Sequence, residues 1–231
     1  MIYFAHRGAS AEAVQNTVPA FRRAQALGAS YYELDVHLTQ DGVLVVHHDY
    51  SLLSTAGADV QIKNLTFGEL QTYPLQNAFN EERVFVPRLK DVLPVIASGL
   101  ETVNIELKND GNVYGGLEEK LLALLQNDFP KILPQTLFSS FDYGTLVRLR
   151  ALYKNAHIGL LTRAFDVSAA QTLGAESVHL NHTRFTPQIA RACREHGLKI
   201  YLYTVNDMEQ AARLAEEGAD GIFTDKIGMF L

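Results

Sequence analysis

Short apolar runs alternate with longer amphipathic segments along most of this chain. The first apolar run covers residues 2–5 and stops at His6-Arg7-Gly8. A run of this length ended by a glycine is typical of a buried strand. Apolar runs of similar length follow, and we predict that they too are strands. They cover residues 30–36, 43–46, 102–108, 136–140, 158–161, 177–180, 198–205 and 220–225.

Segments with helical periodicity lie between most of these strands. Several end in a glycine, as at Gly28-Ala29 and Gly218-Ala219, and a strand begins within a few residues. A glycine after the last helical turn accepts the left-handed conformation, and a short loop then leads into the next strand. The predicted helices cover residues 20–27, 89–97, 117–125, 143–152, 167–173, 187–195 and 208–217.

The regular alternation of strands and helices predicts a parallel sheet covered by helices. We count about eight strand–helix units in 231 residues, close to the roughly 250 residues of a typical closed barrel. A doubly wound open sheet more often carries G-x-G-x-x-G after its first strand, and Gly8 stands alone. We therefore predict the α/β class, as a (β/α)8 TIM barrel that forms one domain over residues 1–231.

One stretch interrupts this alternation after the second strand. Thr39-Gln40-Asp41-Gly42 predicts a hairpin turn that leads into the strand at 43–46. Residues of about 50–90 then mix turn formers with short apolar pieces. We interpret them as a small insertion, too short to build a core of its own.

Composition narrows the classes of function. The net charge is −6, which argues against broad electrostatic binding to nucleic acid or to anionic membranes. One cysteine, Cys193, excludes an intrachain disulfide. No apolar run reaches the length of a membrane span, and no basic leader precedes the first strand. We expect a cytoplasmic protein, monomer or homodimer, with a small-molecule partner, no nucleic acid and no membrane span.

Three carboxylates stand out within apolar strands. Glu33 and Asp35 lie two residues apart, so both side chains point to one face, roughly 7 Å apart along the strand. Glu106 and Lys108 repeat this spacing on the next long strand. Such carboxylates need cations or basic partners, and together they would suit Mg²⁺ or Ca²⁺. The alternative is a set of salt bridges at the rim of the barrel.

Two histidines, His6 and His48, each end an apolar run. Either histidine alone would be interpreted as a polar residue at the rim of the barrel. Imidazoles suit proton transfer near neutral pH, and Arg7 and Lys108 would hold an anionic substrate. A metal site, two histidines and two cations at strand ends together indicate cleavage of a phosphoester.

These residues resemble the glycerophosphodiester phosphodiesterase (GDPD) family, and the resemblance runs in family order from residue 6 to residue 225. The matching segments are His6-Arg7-Gly8, Asn16-Thr17 with Phe21, Gly28-Ala29, Glu33-Leu34-Asp35-Val36, Thr39-Gln40-Asp41-Gly42, His47-His48-Asp49, Asn104-Ile105-Glu106-Leu107-Lys108, Thr204-Val205-Asn206 and Gly221-Ile222-Phe223-Thr224-Asp225.

The resemblance implies a function and a set of roles. The reaction would be metal-dependent hydrolysis of glycerophosphodiesters to sn-glycerol 3-phosphate and an alcohol. Three sets of residues would carry it: His6 and His48 as general acid and base; Glu33, Asp35 and Glu106 as metal ligands; and Arg7, Lys108 and Tyr203 around the substrate. Either histidine could be the base, and the nucleophile could be water or the substrate's own 2-hydroxyl.

The sequence departs from the family pattern near the first loop. The family usually has Pro-Glu before Asn-Thr, where this chain has Val14-Gln15, and Tyr203 replaces a common tryptophan. We name Gln15, Asn16 and Asp49 as residues that could contact the metal ligands without binding the metal themselves. We expect Gly8 to let the backbone turn close to the substrate. His37 could support the metal ligands from a second layer, but we expect it at the rim. Asp225 closes the last strand and could touch the site, and we interpret His179 as a structural or surface residue.

Two other functions remain open. One is a lysophospholipase D that cleaves the same bond in acylated substrates. The insertion shows no sustained amphipathic face to hold an acyl chain, which ranks this activity lower. The other is a non-catalytic barrel that binds polyol phosphates. The intact histidines and carboxylates argue against it.

Overall fold

A computed structural model describes residues 1–79 and 83–231 of the chain. Its architecture is built on nine strands in the described residues. Its strands are β1 (Ile2–His6), β2 (Tyr31–Leu38), β3 (Leu44–Val46), β4 (Thr102–Leu107), β5 (Thr136–Ser140), β6 (His157–Thr162), β7 (Ser177–Asn181), β8 (Lys199–Tyr203) and β9 (Gly221–Thr224).

The helices follow the predicted pattern. They are α1 (Val18–Ala26), α2 (Leu53–Ala56), α3 (Phe67–Leu70), α4 (Leu89–Ile96), α5 (Leu117–Asp128), α6 (Tyr143–Leu152), α7 (Val167–Leu173), α8 (Pro187–Glu195) and α9 (Met208–Glu216). Side chains end or begin several of them. Thr17 caps α1 and Asp142 caps α6, while Gly174 ends α7 in the left-handed conformation.

Eight parallel strands close into a barrel. Their order is β1-β9-β8-β7-β6-β5-β4-β2, and pairing of β1 with β2 completes the ring. Strand β3 lies outside this ring and pairs antiparallel with the end of β2 that projects beyond β1. The predicted (β/α)8 barrel and the hairpin at residues 39–42 are thereby confirmed.

Aromatic side chains fill the lower interior of the barrel. Phe4 stacks on Phe223 with ring centroids 4.8 Å apart, and Tyr201 packs against Phe4 at 5.2 Å. Leu137 completes this cluster. Because the interior is packed at this level, polar side chains from the strands can gather only nearer their carboxyl ends.

The insertion packs a small apolar cluster against Val45 of β3, so this cluster is shared with the strand outside the barrel ring. The cluster consists of Val45, Leu52, Ile62, Leu70, Leu75 and Val86. Helices α2 and α3 lie within this segment, and residues 80–82 of the predicted insertion lie outside the described residues. Scattered apolar positions without a common period converge because bridges such as Ser51–Gln61 fold the segment back on itself.

None of the helices in the described part of the chain is long and apolar enough to cross a membrane.

Gly8 has a packing role that the sequence analysis did not predict. Its φ is +85°, and an added Cβ would lie 2.7 Å from the carbonyl carbon of Ala20. The neighbouring Ala9 N–H donates to the Ala20 carbonyl at 3.0 Å. Glycine therefore lets the first loop lie against α1, and the expected approach of this turn to the substrate stays a prediction.

Gly8→Ala should lower the free energy of unfolding by about 2–4 kcal/mol, because left-handed strain and a clash with the α1 backbone add together. Gly28→Ala is the matched control: its φ is +95°, but an added Cβ meets nothing within 4 Å. This control should lose only about 1 kcal/mol. Urea unfolding measures both values, and equal losses would show that the Ala20 contact is unimportant.

Candidate active site

Six of the predicted site residues line one cavity at the carboxyl ends of the barrel strands. They are His6, Arg7, Glu33, His48, Glu106 and Tyr203. His48 alone comes from outside the ring, because it follows β3. Asp35 and Lys108 join this group through ion pairs described below, so the structure brings together the predicted carboxylates, cations and histidines.

The three carboxylates form one compact group. Each offers an oxygen, and these oxygens lie within 4.8 Å of one another. Glu33 and Asp35 share a face of β2, and Asp35 is the register partner of Glu106 on β4. Their exposures are 3%, 0% and 7% for Glu33, Asp35 and Glu106. Strand register therefore fixes the spacing of the group.

Burial and neighbouring charges shift the pKa values of these three carboxylates in different directions. Burial raises the pKa of Glu106 to about 7, against the opposing charge of Lys108. Burial and the nearby Asp35 charge also hold the pKa of Glu33 well above its usual value. Burial alone would raise the pKa of Asp35, but Lys108 and Arg7 bring it below its usual range. Asp35 is therefore the permanent anion of the three.

Lys108 lies against two of these carboxylates. Its Nζ is 2.6 Å from Glu106 Oε1 and 3.1 Å from Asp35 Oδ1. Even so, Asp35 Oδ1 has no partner with hydrogen-bond geometry among the described residues. Three crowded, buried carboxylates with an oxygen unsatisfied in this way are the hard donors that Mg²⁺ and Ca²⁺ prefer. The residues present thus fit a divalent cation.

The first loop holds Arg7 above the carboxylates. The Arg7 backbone N–H donates to Glu33 Oε2 at 2.9 Å, and its Nη1 donates to Gln15 Oε1 at 2.7 Å. Arg7 Nε lies 3.4 Å from Asp35 Oδ2. Asn16 Nδ2 donates to the same Asp35 oxygen at 2.8 Å. Gln15 thus orients the guanidinium, whereas Asn16 orients a carboxylate.

His6 is held by Asp225, which the sequence analysis named only as a residue that could touch the site. Its Nδ1 lies 2.7 Å from Asp225 Oδ1. Ser10 Oγ donates to Asp225 Oδ1 at 3.0 Å, and Asn206 Nδ2 donates to Oδ2 at 2.7 Å. Burial alone would raise the pKa of Asp225, but these hydrogen bonds lower it. An ionised carboxylate only accepts, so Nδ1 of His6 carries the proton.

His48, which lines the same cavity, has a similar arrangement. Its Nδ1 lies 2.6 Å from Asp49 Oδ1, and Ser54 Oγ donates to Asp49 Oδ2. Burial lowers the pKa of both His6 and His48. Each imidazole is therefore tied at Nδ1 to a carboxylate, which leaves Nε2 for other partners.

His37 does not lie at the rim as expected. It is fully buried, with Nδ1 2.8 Å from Tyr114 Oη and Nε2 3.2 Å from the His48 carbonyl oxygen. The sequence offered only weak signals for His37, one residue beyond an apolar run, and for Asp225, the last residue of another. Their partners come from residues 77 and 219 positions away in the chain.

Aromatic side chains also line the cavity. Tyr203 and Phe141 meet edge to face, with ring centroids 6.2 Å apart. Arg163 lies over Phe141 at 4.6 Å from the ring centroid. The cavity is therefore lined by aromatic as well as charged side chains.

Comparisons with known proteins agree with this geometry. A relative from Caldanaerobacter subterraneus, a glycerophosphodiester phosphodiesterase, is 34% identical over 97% of this chain and 93% of its own length. A lysophospholipase D of Rattus norvegicus is 34% identical over 96% of this chain and 82% of its own length.

A solved structure of a phosphodiesterase is also similar to this chain. A phosphodiesterase of Oleispira antarctica in complex with the product sn-glycerol-3-phosphate aligns with a TM-score of 0.89 and 29% identity, covering 99% of this chain and 94% of that one. The sequence profile of the glycerophosphoryl diester phosphodiesterase family matches residues 6–229. The predicted family and enzyme class are thereby confirmed: this chain belongs to the glycerophosphoryl diester phosphodiesterase family.

Proposed function

We propose that this protein hydrolyses glycerophosphodiesters to sn-glycerol 3-phosphate and an alcohol, and that it needs a divalent cation. The observation that carries the proposal is the meeting of two carboxylate-bound imidazoles with two cations and three buried carboxylates in one cavity. Each group has a task in cleaving a phosphodiester, and the glycerophosphodiester phosphodiesterases named among the relatives supply the substrate class.

Glu33, Asp35 and Glu106 would hold the cation, and Mg²⁺ and Ca²⁺ are the candidates. A divalent ion bound there supplies charge that stabilises the phosphoryl oxygens as negative charge develops on them. Glu106 and Glu33, whose pKa values are raised by burial, give up their protons to bind it.

Arg7 and Lys108 would bind the remaining phosphate oxygens. Gln15 fixes the Arg7 guanidinium through Nη1, and Arg7 Nε has no hydrogen-bond partner among the described residues. Guanidinium and ammonium groups both bind phosphate through charge-assisted hydrogen bonds. Neutral Gln15, in place of the usual glutamate, leaves more of the Arg7 charge for the substrate.

His6 and His48 would move the protons. With Nδ1–H donated to a carboxylate, Nε2 of each ring carries the lone pair that accepts a proton, and each carboxylate stabilises the imidazolium that results. One histidine takes the proton of the nucleophile, water or the substrate's 2-hydroxyl. The other, protonated, donates to the departing alkoxide, so the alcohol leaves neutral.

Lysophospholipase D activity is the second candidate, and the rat relative named for it is the observation in its favour. The reaction is the same, with an acyl chain on the glycerol. Simple binding of polyol phosphates is disfavoured, because both imidazoles have the partners that proton transfer needs.

His6→Ala and His48→Ala should each lower turnover of glycerophosphocholine by at least about 10²-fold, because each removes a proton carrier. Release of sn-glycerol 3-phosphate is measured with Mg²⁺, Ca²⁺ or EDTA, and lysophosphatidylcholine serves as the acylated substrate. His196→Ala, on the exposed end of α8, is the control and should keep full activity. Near-normal turnover in either site variant would disprove that histidine's role.

Asp225→Asn should lower kcat about 10- to 100-fold and leave KM nearly unchanged, because the amide supports the wrong tautomer of His6 while the phosphate contacts stay. Asp166→Asn, an exposed helix cap, is the matched control and should change neither constant. A variant that raised KM alone would show that Asp225 serves substrate binding instead.

Glu106→Gln tests the cation without relying on activity. Because the pKa of Glu106 is already about 7, neutralising it should disturb the cation-free fold little. The wild-type unfolding temperature should rise with added Mg²⁺ or Ca²⁺, and the variant should lose most of that rise. Glu176→Gln, on the exposed lower rim, should keep the rise, whereas the same rise in all three proteins would place the ion elsewhere.

A further inference from the structure

The two proposed proton carriers are held by different parts of the fold. His6 is the last residue of β1, within the barrel ring, whereas His48 follows β3, which lies outside it. Strand β3 pairs with β2 over only three residues, and the pairing ends where the His47 N–H donates to the Asp35 carbonyl at 3.0 Å. The position of His48 therefore depends on contacts other than this ladder.

His37 bonds to the backbone of His48. It lies two residues beyond Asp35 on the same face of β2, and it is 0% exposed. Its Nε2 lies 3.2 Å from the His48 carbonyl oxygen, and no backbone N–H in the described part of the chain bonds to that oxygen. A carbonyl oxygen only accepts, so Nε2 of His37 carries the proton. His37 thus supplies a hydrogen bond that the strand pairing does not.

Tyr114 holds the other nitrogen of the His37 ring. Its Oη lies 2.8 Å from Nδ1, which accepts from the hydroxyl when Nε2 carries the proton. The Tyr114 N–H donates to Asn109 Oδ1 at 2.8 Å, and Asn109 Nδ2 donates to the Tyr114 carbonyl at 3.4 Å. Asn109 directly follows Lys108. The bonds through His37 therefore connect His48 to the loop after β4.

Tyr50 makes a second connection to the same loop. It lies two residues after His48, and its Oη accepts from the Asp110 N–H at 2.9 Å. The His37 ring meets Tyr50 and Tyr114 edge to face, with centroid distances of 5.1 and 5.6 Å. Residues 48–50 are therefore attached to the loop after β4 at two points, and His37 contacts both.

Histidine is a costly residue at this buried position, because each ring nitrogen must be paired. An apolar side chain of similar size would fill the space without that cost. What His37 adds is the hydrogen bond to the His48 backbone. Such a bond matters for a proton carrier, because a displacement of about 1 Å can cost about 10²-fold in rate.

We propose that His37 is a positioning residue, which holds His48 in place for proton transfer by linking its backbone carbonyl through Tyr114 to the loop after β4. The inference rests on the proposed function. His37 itself contacts neither the substrate nor the metal in this account. Its loss should therefore slow the chemical step and leave substrate binding nearly unchanged.

Steady-state hydrolysis of glycerophosphocholine by folded variants, checked by thermal unfolding, tests the proposal. His37→Leu should lower kcat about 10- to 100-fold and change KM less than about twofold, because only the proton carrier is displaced. His37→Gln should regain most of that kcat, because its amide N–H can replace the Nε2 donor. Equal kcat losses in the two variants, or a change in KM alone, would overturn the proposal.

Removal of one hydroxyl gives a second test with a matched control. Tyr114→Phe should lower kcat about 3- to 10-fold, because the His37 ring loses a partner. Tyr32→Phe is the control: Tyr32 is also buried, and its Oη donates to the Ala29 carbonyl at 2.6 Å, away from the site. It should keep full kcat. Equal kcat in the two variants would show that the Tyr114 bond does not serve catalysis.

A double-mutant cycle separates positioning from packing. In the His48→Ala background there is no imidazole to displace, so adding His37→Leu should cause little further loss of the residual turnover. A further loss of about tenfold or more would show that His37 acts by another route, and would overturn the proposal.

The two proposals can fail separately. If the wild-type protein hydrolyses no glycerophosphodiester, the proposed function fails, and proton NMR still tests the positioning. The His48 ring signals are identified by their absence in His48→Ala. They should be single and sharp in the wild type and in Tyr32→Phe, and split or broadened in His37→Leu, where the ring samples several positions. Hydrolysis by the wild type with unchanged His48 signals in His37→Leu would overturn the positioning alone.

Discussion

The repulsion among three buried carboxylates is the constraint on which the rest of this site depends. Glu33, Asp35 and Glu106 cannot all be ionised out of water without compensating positive charge. Lys108 and Arg7 supply part of it, and they lower the pKa of Asp35 while burial keeps that of Glu106 near 7. The group is thus incomplete as a purely protein structure, and a divalent cation would complete it.

The barrel holds these charged side chains close together because its strands and turns fix the backbone from which each one extends. Register between β2 and β4 places Asp35 opposite Glu106, and the turn after β1 directs the Arg7 N–H at Glu33. The next layer consists of short polar contacts from loops, such as Asn206 to Asp225 at 2.7 Å. Rigid strands position the charged groups, and the loops orient the two imidazoles.

The sequence predicted what depends on local periodicity and missed what depends on distant loops. Alternation within β2 and β4 was enough to place Glu33, Asp35 and Glu106 on one face. Asp225 was named only as a residue that could touch the site, and its pairing with His6 was missed because that contact joins the two ends of the chain. The same limit applies to Gly8, where an added Cβ would clash with Ala20, and to the apolar cluster that the insertion forms with β3. Patterns within one segment carry no information about its partner.

The central claim is that the carboxylates hold a cation that brings the substrate phosphate to Arg7 and Lys108. A crystal structure with Mn²⁺ and sn-glycerol 3-phosphate tests it most directly, because manganese is located by its anomalous scattering. We expect the anomalous peak among Glu33, Asp35 and Glu106, with a phosphate oxygen bound to it. A peak elsewhere, or phosphate bound away from Arg7 and Lys108, would contradict the account.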